Sequence, residues 1–94
     1  MRVKWLRTAL RNLEAEAEYI AQDNPAAEKR TVERVRAAVG RLANHPALGR
    51  PGRVSGTREF VVSGTPYIVP YRVRGKTVEI LSIQHAARKW PEKF

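Results

Sequence analysis

Four side chains in the C-terminal half of the chain could together act on a phosphodiester. They are Arg58, Arg72, His85 and Arg88. Cleavage of RNA through its 2′-hydroxyl needs a base, an acid, and cations that stabilise the added negative charge on the phosphate. An imidazole exchanges a proton near neutral pH, and a guanidinium group binds phosphate oxygens. The sequence therefore contains the side-chain types of a ribonuclease site, provided that the fold brings them together.

The same region has a second interpretation as a binding surface. His85 ends a predicted apolar strand, where a histidine commonly has a structural role and forms hydrogen bonds within the protein. A basic, aromatic segment follows it. Arginine and tryptophan are residue types that often carry the binding energy of an interface. The surface that we predict on this basis contains Arg50, Arg53, Arg58, His85, Arg88, Lys89 and Trp90. The loop at 49–56 lacks the spacing of a phosphate-binding loop, so Arg50 and Arg53 do not by themselves indicate a nucleotide site.

Composition restricts the classes of protein to which the chain can belong. Its 94 residues predict one domain, 1–94, with a modest core. It has no cysteine and only two histidines, far apart in sequence, so we expect neither a metal site nor a cofactor. No segment is long and apolar enough to cross a membrane, and the N-terminus does not resemble a secretory signal. We therefore expect a cytoplasmic protein without membrane association.

Positive charge is concentrated in the second half of the chain. The formal net charge is +9, from 18 Lys and Arg against 9 Asp and Glu. Residues 1–40 contain 8 basic and 6 acidic residues, a net of +2, whereas residues 41–94 contain 10 and 3, a net of +7. Such a surface attracts phosphate backbones or an acidic protein partner. Charge alone, however, indicates neither sequence specificity nor an enzymatic activity.

The first half of the chain predicts a short strand and a helical hairpin. "MRVKW" alternates apolar and basic residues, as in a strand, and Thr8 could then cap the first helix. "DNP" at 23–25 interrupts the helical pattern, and Pro25 suits the first turn of a second helix. An apolar seam at helical spacing follows, formed by Val32, Val35, Val39 and Leu42.

The second half predicts a loop at 49–56 and three strands. The strand sequences are "TREFVV", "YIVPYRV" and "TVEILSIQH", with a tight turn at 75–76 between the last two. Pro70 cannot donate a ladder hydrogen bond, so we expect a bulge or an interrupted ladder there. The predicted fold class is α+β, in the order β-α-α-β-β-β, with the helical hairpin packed on one face of a small, mostly antiparallel sheet.

This order resembles the RelE/ParE superfamily of toxins from type II toxin–antitoxin systems over nearly the whole chain. The residues that carry the resemblance are Arg58, Glu59, Tyr67, Val69, Tyr71, Arg72, Val78–Leu81, His85 and Arg88. The resemblance implies a growth-arresting toxin that a small, DNA-binding antitoxin neutralises, often through an acidic tail. We expect that tail to bind along the seam of Val32, Val35, Val39 and Leu42.

The resemblance leaves the target open between two branches of the superfamily. RelE-like members cut mRNA on the ribosome and commonly carry an arginine after the aromatic residue of the central strand, whereas this chain has Ile68 in "YIVPY". Arg72 shares the parity of Ile68 and could partly replace that cation, unless a bulge at Pro70 breaks the parity. An aliphatic residue here is found among ParE-like members, which inhibit DNA gyrase. The sequence favours that branch, with ribosome-dependent mRNA cleavage as the alternative and a non-toxic, basic nucleic-acid-binding module as a third possibility.

Overall fold

The computed structural model describes all residues 1–94, which form two helices and six strands. In chain order these are β1 (Arg2–Trp5), α1 (Arg7–Asp23), α2 (Pro25–Asn44), β2 (Arg50–Pro51), β3 (Arg58–Val61), β4 (Tyr67–Arg74), β5 (Thr77–Ile80) and β6 (Gln84–His85). The α+β fold class and the element order are confirmed, with two differences. The predicted loop at 49–56 contains the short strand β2, and the predicted last strand is divided into β5 and β6.

The two helices begin for different reasons, α1 at a contact with the sheet and α2 at a local cap. The Leu6 N–H donates to the Ile80 carbonyl at 3.0 Å, and the chain turns directly into α1 from this residue. Leu6 is the N-cap residue and no side chain caps the helix, so the prediction for Thr8 is wrong. The start of α2 is local, as predicted from "DNP". Asn24 Oδ1 accepts from the Ala27 N–H at 3.1 Å, and Pro25 occupies the first turn, where a missing N–H costs no hydrogen bond.

The sheet is mixed but mostly antiparallel, as predicted. Its strand order is β1-β5-β4-β3-β2, and β6 pairs with β4. Only the pair of β1 with β5 is parallel. The tight turn between β4 and β5 contains Gly75 at φ 60°, a left-handed conformation that a glycine adopts without the steric penalty of a side chain.

The helical hairpin covers one face of this sheet, here called the helix face. A core of 13 buried residues lies between the two layers and includes Val35, Val39 and Leu42 from the seam of α2, with Val32 packed against it. The sheet already packs against this seam, so the seam does not line an open groove for the expected antitoxin tail. These side chains stabilise the monomer and are unavailable to an antitoxin while the layers stay packed.

The predicted interruption at Pro70 is confirmed, but it lies on the neighbouring strand. Strand β4 is continuous and pairs without a break with β3. On its other side, Tyr71 pairs with Ile80, whereas Ile68 pairs with Gln84. Three residues, 81–83, therefore oppose two on β4, which is the pattern of a β-bulge. The Leu81 N–H donates to the Pro70 carbonyl at 3.0 Å, a bond that needs no N–H from proline.

Tyr71 connects the sheet to the segment that follows α2. Its side chain is fully buried, and its hydroxyl donates to the Pro46 carbonyl at 2.7 Å and accepts from the Gly49 N–H at 2.8 Å. A Cβ atom on residue 49 would lie 2.6 Å from the Tyr71 ring, so this close approach requires glycine. Tyr67 is also in the core, so both tyrosines serve in packing.

Candidate functional site

The register of the sheet decides which of the predicted site residues share a face. Side chains opposite one another in neighbouring strands point to the same side, and they alternate along each strand. Arg58 pairs with Tyr71, and His85 pairs with Tyr67. Both tyrosines are in the core, so Arg58 and His85 lie on the helix face. Arg72 alternates with Tyr71 and lies on the opposite face, here called the outer face.

Arg58 is committed to a structural contact on the helix face. Its Nη1 donates to the Gly49 carbonyl at 2.7 Å and more weakly to the Ala47 carbonyl at 3.5 Å. Arg58 pairs with Tyr71 on β4, whereas His85 pairs with Tyr67, four residues earlier on the same strand. The strands that carry Arg58 and His85, β3 and β6, lie on opposite sides of β4. That separation corresponds to roughly 13 Å along the strand alone. Arg58 and His85 therefore do not hold the same phosphate.

Arg72 shares the outer face with Ile68, as the parity of β4 predicts. The bulge lies outside β4 and leaves that parity intact. The Arg72 Nε donates to Glu79 Oε1 at 2.6 Å. This hydrogen bond, together with the nearby charges of Arg72, Arg74 and Lys4, lowers the pKa of Glu79 below its ordinary value. Ile68 is only 6% exposed. The position where RelE-like members commonly carry a cation is thus apolar and buried.

His85 and Arg88 belong to a cluster at the end of the sheet. The His85 ring packs edge-on against Tyr67, with ring centroids 5.6 Å apart, and its Nδ1 accepts from the Ala87 N–H at 3.1 Å. Arg88 Nη1 donates to both carboxylate oxygens of Glu16 on α1, at 2.8 and 2.7 Å. Tyr67 donates to the same carboxylate at 3.0 Å. Burial, with this contact to Glu16, raises the pKa of Tyr67 to about 12, so the phenol is neutral at physiological pH.

Trp90 is buried by contacts within the protein and is not an exposed interface residue. It is 9% exposed, and its Nε1 donates to the His85 carbonyl at 3.1 Å. The Arg53 guanidinium lies 3.4 Å from the centroid of the Trp90 ring, within the range of a cation–π contact. Because this contact and the indole hydrogen bond hold the ring, Trp90 positions the segment that contains His85, Arg88 and Lys89.

Glu59 holds Arg53 in place for this contact. Its carboxylate is 4% exposed, and it accepts from the Arg53 backbone N–H at 2.8 Å, from Arg53 Nε at 3.2 Å and from Arg50 Nη2 at 3.3 Å. Burial by itself raises the pKa of Glu59, but these hydrogen bonds outweigh it and lower the pKa below its ordinary value. A chain of contacts thus runs from Glu59 through Arg53 to Trp90.

The structure brings together one part of the predicted surface and separates the rest. Arg50, Arg53 and Trp90 are linked through Glu59, and His85 and Arg88 adjoin the same C-terminal segment. Lys89 is exposed beside them, whereas Arg58 lies elsewhere on the helix face. Sequence reasoning missed Glu16 as the partner of Arg88, because 72 residues separate them and no local pattern links them.

The ionised Glu59 carboxylate is expected to contribute to stability above its ordinary pKa of 4.5. A carboxylate with a lowered pKa in the folded state loses that contribution as the pH falls through the folded pKa. Glu59→Gln should therefore lower the free energy of unfolding at pH 7 by about 1–3 kcal/mol. The difference from wild type should shrink as the pH falls below 4.5 and through the lowered pKa of Glu59 in the folded state. Urea unfolding followed by circular dichroism across this range measures both effects.

Glu33→Gln is the matched control, since Glu33 is an exposed carboxylate on α2 that forms no ion pair. Its unfolding free energy should follow that of wild type at each pH. A Glu59→Gln protein with the same difference from wild type at every pH would contradict an ionised, stabilising Glu59.

Comparison with known proteins identifies the family. A family model described as the ParE toxin of the type II toxin–antitoxin system parDE matches residues 3–90. The chain belongs to the ParE toxin family. This ParE-family toxin is 47% identical over 91 residues to "Putative toxin Y4kP" of Sinorhizobium fredii, covering 97% of this chain and 94% of that protein. It is 40% identical over 86 residues to "Toxin RelE2" of Caulobacter vibrioides, covering 92% and 96%.

A solved structure supports the same assignment. The ParE-family toxin superposes with a TM-score of 0.83 on a chain of the chromosomal ParDE toxin–antitoxin system from P. aeruginosa, at 30% identity, covering 90% of this chain and 95% of that one. The resemblance to the RelE/ParE superfamily is thus confirmed. Neither helix of the toxin is long and apolar enough to cross a membrane. No group of three or more His, Cys, Asp or Glu side chains is placed to hold a metal ion.

Proposed function

We propose that this ParE-family toxin arrests growth by binding and inhibiting DNA gyrase, without cleaving RNA itself. One observation carries the proposal: the side chains that a ribonuclease would need are dispersed and already engaged. Arg58 lies on the helix face and Arg72 on the outer face. Each donates to a group of the protein itself, the Gly49 carbonyl for Arg58 and Glu79 for Arg72. Such a distribution is unsuited to stabilising the charge on one phosphate.

The C-terminal segment supports a mechanism based on contacts. The Arg88 side chain is 51% exposed although it is paired with Glu16, and Lys89 is exposed beside it. The cluster around Glu16 and the anchor at Trp90 hold this segment against the sheet from two sides. A segment held in this way loses little conformational entropy on binding, which favours affinity for a protein target.

A cognate antitoxin is part of the same proposal. The toxin carries a formal net charge of +9, and an acidic partner segment would complement it. Because the α2 seam is closed, we place that partner on exposed surface and not between the two layers. The alternative target is the ribosome with its mRNA, as in RelE-like toxins. Because the chain is similar to a protein named RelE2, cleavage of mRNA on the ribosome must be tested as well.

The proposal is tested by paired assays with the purified toxin. Gyrase supercoiling should be inhibited, with cleaved DNA trapped on the enzyme, whereas mRNA on translating ribosomes should remain intact. The protein encoded beside the toxin should restore supercoiling when added in excess. Cuts in mRNA at codon positions that disappear in His85→Ala would establish the alternative instead.

The C-terminal surface is tested by a charge change with a matched control. Arg88→Gln with Lys89→Gln should raise the toxin concentration needed for gyrase inhibition at least about tenfold, since an arginine at an interface hot spot contributes about 2 kcal/mol or more. Lys29→Gln with Arg30→Gln removes the same charge from an exposed part of α2 and should leave inhibition unchanged. Equal losses in both variants would show that net charge alone, and not this segment, determines inhibition.

A further inference from the structure

The outer face of the sheet carries a regular array of positive side chains at the opposite edge from Trp90. Two rows of residues cross three neighbouring strands, β1, β5 and β4. The first row is Arg2, Thr77 and Arg74, and the second is Lys4, Glu79 and Arg72. Each row thus has a cation at both ends. We call these six residues the cationic grid.

The dimensions of the grid follow from the geometry of the sheet. Neighbouring strands lie ~4.8 Å apart, so the two cations of one row are separated by about 10 Å at their Cα atoms. The rows are two residues apart, or about 6.6 Å. A concavity of about 620 Å³ adjoins the grid and is lined by five of its six residues, all but Arg72. Val3 and Trp5 of β1 also line it, although their side chains pack against the core. The grid is therefore a shallow, recessed surface of fixed backbone spacing.

Most of the positive charge of the grid is free to bind a ligand. Arg2 and Lys4 are exposed and form no ion pair. Arg74 is 68% exposed and lies 3.8 Å from Glu79, whose closer partner is Arg72 at 2.6 Å. The four cations and one carboxylate of the grid give it a net charge of +3. The ligand that such a surface selects is an extended polyanion.

The composition of the grid favours duplex DNA among polyanions. None of its six residues is aromatic, the nearby Trp5 ring packs against the core, and Phe94 is the one exposed ring beside Arg72 and Arg74. Proteins that bind single strands usually stack successive bases on several exposed rings. The four cations of the grid lie in two pairs on β1 and β4, on either side of β5, and such a fixed array suits the phosphates of a regular backbone. Phosphate contacts position a protein without reading sequence. We propose that the cationic grid binds the phosphate backbone of duplex DNA and thereby holds the toxin on gyrase-bound DNA. The second half of this inference depends on the proposed gyrase target, and the first half does not.

Direct binding to a short labelled DNA duplex, measured by fluorescence anisotropy without gyrase, tests the inference. Arg2→Gln, Lys4→Gln and Arg74→Gln combined should weaken binding at least about tenfold. The slope of log affinity against log salt should fall by about 2.7, since each phosphate contact contributes about 0.9. Glu79→Gln should strengthen binding about threefold, because the change removes the only negative charge in the grid. A gain in affinity is not the result expected from a loss of the folded grid.

A second triple variant controls for net charge. Lys29→Gln, Arg30→Gln and Arg36→Gln combined also remove three positive charges, from exposed positions on α2 in the other layer. This variant should bind DNA within about twofold of wild type and keep its salt slope. Equal weakening in both triples, tighter binding to duplex RNA than to duplex DNA, or displacement of the DNA by an equal charge of polyglutamate would overturn the inference.

The two proposals fail in different ways. If the grid binds DNA but the toxin does not inhibit gyrase, the grid remains a DNA-binding site and gyrase is not the target. Gyrase inhibition by a wild-type toxin that does not bind duplex DNA would leave the target and overturn the grid.

Discussion

Replacing Tyr71 with alanine is expected to lower the free energy of unfolding by about 3–5 kcal/mol, the range found when a large buried ring is removed. The side chain is fully buried between the layers, and its hydroxyl joins β4 to the Pro46 carbonyl and the Gly49 N–H. Small domains have about 5–15 kcal/mol in total, so this change removes a large part of the stability. Urea unfolding monitored by circular dichroism measures the difference.

Tyr71→Phe separates the contribution of the ring from that of the hydroxyl. The ring remains, but the buried Gly49 N–H loses its partner, which should cost about 1–3 kcal/mol. This variant also gives a measurable value if the alanine protein does not fold. Tyr19→Ala is the matched control, because that ring is 62% exposed and its loss should change stability by no more than about 0.5 kcal/mol. A Tyr71→Ala protein as stable as the Tyr19→Ala protein would contradict the role assigned to this contact.

Trp90→Ala is expected to release the C-terminal segment while most of the sheet stays folded. The change removes the contact with Arg53 and the hydrogen bond to the His85 carbonyl, at a cost of about 3 kcal/mol. The Ala86 N–H, which donates to the Pro66 carbonyl at 2.8 Å, should then exchange with solvent faster by at least about a hundredfold. Hydrogen–deuterium exchange resolved to individual peptides measures this change.

Trp90→Phe keeps an aromatic ring against Arg53 but lacks the indole N–H, so we expect a loss of about 1 kcal/mol and partial protection. Amides in α2 serve as the internal reference and should exchange as in wild type. If exchange in the C-terminal segment is unchanged in Trp90→Ala, the anchor lies elsewhere, for example in the pair of Arg88 with Glu16.

Much of the fold could be predicted because its signals are local. The break at Asn24 and Pro25, the apolar seam of α2 and the turn at Gly75 each depend on residues that are neighbours in sequence or one helical turn apart. The prediction for Thr8 failed because a hydrogen bond from Leu6 to the distant Ile80 sets the start of α1. The disruption near Pro70 was foreseen, since proline has no N–H, but the strand that accommodates it was not.

The candidate site could be predicted only in part, since its members depend on contacts distant in sequence. The cationic residues and the C-terminal segment were recognisable from residue type. Their partners were not, because Glu16 is 72 residues from Arg88 and Arg53 is also distant from Trp90 in sequence. Trp90 was predicted to be a surface residue, but the contact with Arg53 and the indole hydrogen bond to His85 bury it.

The sequence by itself determined the order of elements, the excess of positive charge and the membership of the RelE/ParE superfamily. Each of these depends on the kind and spacing of residues along the chain. Only the tertiary structure decided that Arg58 and His85 lie on one face and Arg72 on the other. The physical reason is that side chains alternate along a strand, so strand register sets which residues meet, and one extra residue in a bulge reverses their direction. Register is a property of the assembled sheet, and it separates a set of cations that the sequence places together.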